Sequence, residues 1–99
     1  MCGILGSYVL NPIHDNHKRM QAGLRLLHHR GPDDQGLEIE EVSGGTLSLG
    51  HTRLSIIDLS TGGHQPMHTL DGRYTIVFNG EIYNYRELRK ELREHGHTF

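Results

Sequence analysis

Cys2 is the single cysteine of the chain and stands directly after the initiating methionine. Met1 is readily removed when the next side chain is small, and Cys2 then becomes the N-terminal residue. A free α-amine titrates near about 7.7–8.0, close to the pH at which a general base works best. One residue would then hold both a nucleophilic sulfur and the base that activates it, a task that otherwise needs a separate histidine. The thiolate is the reactive form, and a nearby ammonium or arginine favours it. The plain alternative is a small apolar side chain buried in a first strand.

Asn79-Gly80 has two compatible readings. As a turn it suits a type I′ hairpin. As a site it offers a side-chain amide and an unobstructed backbone N–H, both able to point at a developing oxyanion. Such donors are each worth roughly 3–4 kcal/mol of barrier. Arg53 stands where a strand opens into a long loop, a place from which a guanidinium can hold a carboxylate in a two-pronged fork. Its plain alternative is a pairing with Asp58 or another surface acid. Glu81, just after Asn79-Gly80, could receive a ligand ammonium, or be an ordinary exposed glutamate. An arginine and a carboxylate together would read the two charged ends of a free α-amino acid.

The nine histidines invite a metal reading. His64 and His68 are four apart, but Gly63 and Pro66 deny them a helix face. No second cysteine and no His-Glu-x-x-His pattern is present. His14 and His17 are three apart. His28-His29 fits the negative end of a helix dipole. We expect no metal site. Glycine-rich phosphate loops of the usual spacings are also missing.

The elements that must position these residues follow from periodicity and turn chemistry. Residues 3–10 read as a buried strand, ended by Asn11-Pro12. Asp15 caps a helix running to about His28, with Met20, Leu24 and Leu27 as its apolar face. Gly23 inside that helix costs about 1 kcal/mol against alanine, which suggests a close packing contact. Residues 29–36 have loop chemistry. Strands near 37–42 and 46–53 are joined by Ser43-Gly44-Gly45. A long irregular stretch covers 54–72; loops of that length are usually functional when ordered. Residues 73–78 alternate as a strand, and Glu81-Ile82-Tyr83 resumes it. Asn84 caps a last helix, with Glu87 placed for a capping box, Tyr85, Leu88 and Leu92 as its apolar stripe, and Gly96 as its stop. Each helix should lie on the outside of a sheet. The order predicts a mixed α/β or α+β layer arrangement with antiparallel pairing.

Length and composition bound the rest. Ninety-nine residues make at most one small domain. With no Trp, 2 Phe and 4 Tyr the core is thin, and 13 Gly are about twice the usual share. A formal net charge of −2 argues against nucleic-acid binding. Apolar runs are too short for a membrane span or a signal peptide. One cysteine fits a cytoplasmic setting.

Met1-Cys2-Gly3-Ile4, Arg30-Gly31-Pro32-Asp33, the stretch Gly50 to Leu59, His64-Gln65-Pro66-Met67, and Phe78-Asn79-Gly80-Glu81-Ile82-Tyr83-Asn84 combine into a pattern. In this order, over essentially the whole chain, they resemble the class II glutamine amidotransferase domain. The likeness is greatest to the glutaminase half of the glutamine-hydrolysing asparagine synthetases. It implies an N-terminal nucleophile hydrolase fold, an αββα sandwich of antiparallel sheets that is incomplete here. It implies that Cys2 attacks the side-chain amide of glutamine, that ammonia leaves, and that water releases glutamate from a thioester.

By the same resemblance, Asn79 and Gly80 match the oxyanion hole and Arg53 the clamp on the glutamine α-carboxylate. The backbone of Leu54, Ser55, Ile56 and Ile57 lines the pocket, and Glu81 lies near the glutamine amino group. The family carries a Ser-Asp-Thr-Glu-like segment soon after the equivalent of Gly96 to Phe99, and a Ser-Gly-Gly-x-Asp-Ser loop in its synthetase half. Neither is in this sequence. Residues 1–99 therefore read as the N-terminal part of the glutaminase domain, inactive by itself. The ammonia would feed an ATP- and magnesium-dependent amidation of aspartate in a C-terminal synthetase domain, and a homodimer is compatible with this.

Two further readings stand beside it. Relatives of the same fold serve other acceptors: amino sugars, purine precursors or cell-surface carboxylates. A histidine-rich, non-enzymatic binding domain is the alternative from a different class.

Overall fold

A computed structural model describes residues 2–11, 14–55 and 60–99. Strand β1 (Gly3–Val9) is followed by helix α1 (Asn16–Leu26) and a short 3-10 turn (His28–Arg30). Strands β2 (Asp34–Val42) and β3 (Gly45–Arg53) form a hairpin. Another 3-10 turn (Thr61–Gly63) precedes the two-residue strands β4 (Met67–His68) and β5 (Thr75–Ile76), and helix α2 (Tyr85–Glu94) comes last. The fold is a mixture of helices and antiparallel sheet, as expected. One sheet has the order β1-β3-β2, and β4 pairs with β5 in a second.

The β2–β3 hairpin turns through Ser43 and Gly44, with φ of 51° and 77°. Positive φ at both central residues is what a type I′ turn requires. Val42 then faces Gly45, and the register runs to Asp34 opposite Arg53. On the other side of β3, β1 pairs from Gly3 opposite Thr52 to Val9 opposite Thr46. β3 is thus the central strand, paired along both of its edges.

Because side chains alternate along a strand, Ser48, Gly50 and Thr52 share one face of β3 and Leu49, His51 and Arg53 the other. Helix α1 lies on the first face. Leu24 is fully buried there, against Gly50, and Met20 beside it is 5% exposed. Burying such a side chain is worth roughly 1.5–3 kcal/mol. A Cβ on Gly23 would come 2.7 Å from Leu5 Cδ2, so the mid-helix glycine marks the predicted close contact between α1 and β1. Asn16 Nδ2 donates to Ser48 Oγ at 3.0 Å and ties the helix start to the same face.

Several local expectations are corrected. The first helix stops at Leu26, and His28-His29 belong to the 3-10 turn. Asp15 and Asn84 occupy the N-cap positions, but neither side chain caps. Their ψ angles of 22° and 29° lie outside the β region from which a cap reaches the first-turn N–H groups. The strand expected over 73–78 shrinks to Thr75–Ile76, because β4 offers it only two residues to pair with. Glu81-Ile82-Tyr83 forms no strand.

Helix α2 ends as predicted at Gly96, whose φ is 89°. Gly96 N–H bonds to Arg93 O at 3.0 Å and His97 N–H to Leu92 O at 3.0 Å, a Schellman ending. No residue of α2 is buried, however, so this helix does not lie on a sheet as expected. Leu88 and Leu92 keep 39% and 40% of their surface in solvent.

Candidate active site

The β1–β3 register decides what stands next to Cys2. The ladder ends with Gly3 opposite Thr52, and Cys2, just before it, meets the chain as it leaves β3 at Leu54. Gly3 fits because its Cβ would sit 2.7 Å from Thr52 Oγ1. The Gly3 N–H donates to that oxygen at 3.1 Å, and the Thr52 hydroxyl donates to Leu27 O at 3.2 Å. This chain of bonds fixes the first turn of main chain after Cys2 to β3 and to the end of α1.

Cys2 is half-buried. The Leu54 N–H donates to Cys2 Sγ at 3.3 Å, and the sulfur lies 3.9 Å from Leu54 O. The residue after Leu54 is held separately: Ser55 N–H donates to Asp33 Oδ2 at 2.8 Å, while Asp33 N–H donates to Arg53 O at 3.0 Å. The Pro32 bridge to Arg53 runs alongside. A Cβ on Gly31 would overlap the main chain of Thr52 and Arg53, so the Arg30-to-Asp33 segment lies flat against the end of β3. The exit of β3 is therefore rigidly framed by two stretches that are far away in sequence.

Arg53 is 8% exposed. Its Nη1 donates to Ser60 O at 2.5 Å, and its guanidinium packs against Gly63, where a Cβ would overlap Nη2. The strand end and this carbonyl fix the orientation of the buried guanidinium. Asp58, the alternative partner, lies outside the described residues, as do Ile56 and Ile57.

Asn79, Gly80 and Glu81 lie on exposed chain. Neither Asn79 nor Gly80 has a positive φ, so the pair is not a type I′ hairpin turn. Gly80 stacks against the Phe78 ring, where a Cβ would come within 2.8 Å. The turn is attached through Phe78, whose N–H donates to Gln65 Oε1 at 2.6 Å. The structure thus brings Cys2, Arg53, Leu54 and Ser55 together at the end of β3, and leaves Asn79, Gly80 and Glu81 on a neighbouring exposed segment.

His64 and His68 do not pair with each other. His64 Nδ1 lies 2.6 Å from Asp34 Oδ2, and His68 Nε2 lies 2.5 Å from Glu38 Oε1. Partial burial pushes the Asp34 carboxyl up, but hydrogen bonds from His64 and the Gln35 N–H outweigh it, and its pKa is lowered overall. No group of three metal-binding side chains occurs among the described residues.

Residues with no predicted role also shape the site. His51 is 1% exposed, and its Nε2 has no hydrogen-bond partner among the described residues. Burial lowers its pKa, against the opposing pull of the Phe78 backbone and Asp34. Thr52, Asp33 and Gln65 each hold one piece of main chain in place. Nothing in the sequence around His51 and Thr52 signals their burial, which comes from tertiary cover of the end of β3.

The chain matches the family described as "Glutamine amidotransferase domain" over residues 1–99. It is 43% identical over 102 residues to asparagine synthetase [glutamine-hydrolyzing] 1 of Bacillus subtilis (strain 168), covering 100% of this chain and 15% of that protein. It is 44% identical over 102 residues to asparagine synthetase [glutamine-hydrolyzing] of Sandersonia aurantiaca, covering 100% of this chain and 18% of that protein. To the protein named Amidase chry2 of Gibberella zeae it is 36% identical over 103 residues, covering 93% of this chain and 15% of that protein. No solved structure shows a significant match.

Proposed function

The chain belongs to the glutamine amidotransferase domain family, and from that premise we propose that it is the glutaminase portion of an asparagine-synthetase-type amidotransferase. The observation that carries the reading is the meeting of Cys2 with the Arg53–Leu54 segment. The Cys2 sulfur lies against the backbone of Leu54, the residue next to the buried Arg53.

In the proposed reaction Arg53 holds the α-carboxylate of glutamine and Glu81 faces its ammonium. This orients the side-chain amide toward Cys2, and such positioning removes much of the barrier. After loss of Met1 the Cys2 α-amine accepts the thiol proton as the sulfur bonds to the amide carbon. The carbonyl oxygen becomes an oxyanion, stabilised by the Asn79 amide and the Gly80 N–H. The α-ammonium returns its proton to the leaving nitrogen, the C–N bond breaks, and ammonia and a thioester result. Water then attacks the thioester, giving glutamate and the free thiol. The backbone of Leu54, Ser55, Ile56 and Ile57 would line the pocket, with the Leu54 N–H keeping the sulfur beside it.

The chain spans 15% and 18% of the two asparagine synthetases above. We read residues 1–99 as the N-terminal part of the glutaminase domain, with an αββα sandwich completed by further chain. A synthetase domain holding ATP and magnesium would use the ammonia to amidate aspartate, in the cytoplasm, in a monomer or homodimer. The likeness to the protein named Amidase chry2 supports a second reading, the same glutaminase with a different acceptor.

Replacing Cys2 with alanine in the complete protein tests the proposal. Glutamine-dependent activity should disappear and ammonia-dependent synthesis should survive. Equal loss with both nitrogen sources would contradict it.

A further inference from the structure

Asn79 and Gly80 have no hairpin geometry of their own to fix them, as their φ angles show. Whatever holds Phe78 therefore sets where the two donors stand relative to the strand end that carries Cys2. The Phe78 N–H donates to Gln65 Oε1 at 2.6 Å, a bond that spans 13 residues. We propose that Gln65 is a positioning residue for glutamine hydrolysis, using its side-chain oxygen to hold the Phe78-Asn79-Gly80 main chain in register with β2 and β3.

Gln65 is itself held firmly. A Cβ on Gly36 would overlap the Gln65 carbonyl and come 2.9 Å from Pro66 Cδ, so this segment lies directly on the backbone of β2. Asp34 and Glu38 flank Gly36 by two residues on each side and share its face. They bind His64 and His68, which bracket Gln65 in the same order. Thr75 Oγ1 and His68 Nδ1 are 2.9 Å apart and extend the clasp to β5, three residues before Phe78.

Gly36 is opposite His51 in the sheet, and the Phe78 backbone neighbours the His51 imidazole. The Phe78 peptide is thus set over the face of β3 that carries Arg53. The same segment places the Ser60 carbonyl and Gly63 on the Arg53 guanidinium. One stretch of chain therefore orients the carboxylate clamp at one end and the oxyanion donors at the other.

The role rests on the reading of Asn79-Gly80 as the oxyanion hole, so the test separates the two. In the complete protein, Gln65→Leu should lower kcat for glutamine hydrolysis about tenfold to a hundredfold, as a displaced catalytic group does. KM for glutamine should change less than about twofold, because the loss falls on the transition state. Gln65→Glu keeps an acceptor oxygen and should recover most of the kcat. Unchanged kcat in Gln65→Leu, or equal loss in Gln65→Leu and Gln65→Glu, would overturn the proposal. Asn79→Ala run alongside identifies which idea failed. If Asn79→Ala also keeps full kcat, the oxyanion reading falls and takes the Gln65 role with it. If Asn79→Ala is impaired and Gln65→Leu is not, the Gln65 role alone falls. Where Gln65→Leu does not fold, amide hydrogen exchange in the unaltered protein decides. A protected Phe78 N–H supports the bond, and exchange at the free rate overturns it.

Discussion

The backbone N–H of Leu54 points at the sulfur of Cys2 from 3.3 Å, across 52 residues of sequence. A hydrogen bond to sulfur fixes the position of a side chain that is otherwise free to rotate about one torsion. It also makes the site depend on the exact course of β3 as it ends at Arg53.

Gly31 is a tight point of the frame at the end of β3. Any Cβ there meets the main chain of Thr52 and Arg53, which cannot swing aside as a side-chain tip would. Gly31→Ala should destabilise the fold by about 1–3 kcal/mol, the usual cost of overpacking. A lower urea midpoint at unchanged slope would show this. A midpoint equal to the unaltered protein's would mean that the Arg30-to-Asp33 segment does not press on β3.

Arg53→Lys keeps the charge but loses the planar fork that the proposed clamp on the glutamine carboxylate relies on. A hydrogen bond between charged groups is worth about 1.5–3 kcal/mol, so KM for glutamine should rise about tenfold to a hundredfold. kcat should fall much less, since the carboxylate is held alike in ground and transition states. A fall in kcat at unchanged KM would remove Arg53 from the carboxylate site.

His51 links stability to pH. Burial lowers its folded pKa below the ordinary 6.5. The unfolded chain then takes up a proton before the folded one does. The contribution of neutral His51 is therefore complete above about pH 6.5 and is lost as the pH falls toward the folded pKa. Unfolding free energies measured from pH 7.5 down to 5.5 should drop more steeply in the unaltered protein than in His51→Gln. Parallel slopes would show that His51 titrates alike in both states.

The sequence was most legible where a single local rule sufficed. Of the expected Met20, Leu24 and Leu27 stripe the first two are buried, while Leu27 falls just past the helix end; the close fit at Gly23 and the stop at Gly96 are both present. The β2–β3 hairpin likewise forms about Ser43 and Gly44. Local rules failed where a partner strand decides the outcome. Glu81-Ile82-Tyr83 has strand-like residues but pairs with no strand among the described residues. The Asn79-Gly80 signal predicted a hairpin, and tertiary contact through Phe78 and Gln65 sets the chain there instead.

Parts of the site reached further than spacing does. Chain position marks Cys2 and loop placement marks Arg53, each without reference to the other. Only the antiparallel register makes them neighbours. The pairing of His64 with Asp34 and of His68 with Glu38 bridges 30 residues in each case and leaves no mark in either local segment. His51 is polar in type, and its burial arises because α1 and the 60–66 segment cover opposite faces of β3, which no window of sequence around it reveals.

If Cys2, freed of Met1, is the nucleophile of a glutaminase, a diazoketone analogue of glutamine will alkylate it, and intact-mass analysis of the treated complete protein reads the outcome. The expected product is a chain that lacks Met1 and carries one adduct, located on Cys2 and blocked by excess glutamine. A chain that retains Met1 and gains no adduct, or labelling that glutamine does not prevent, would show that Cys2 is not that nucleophile.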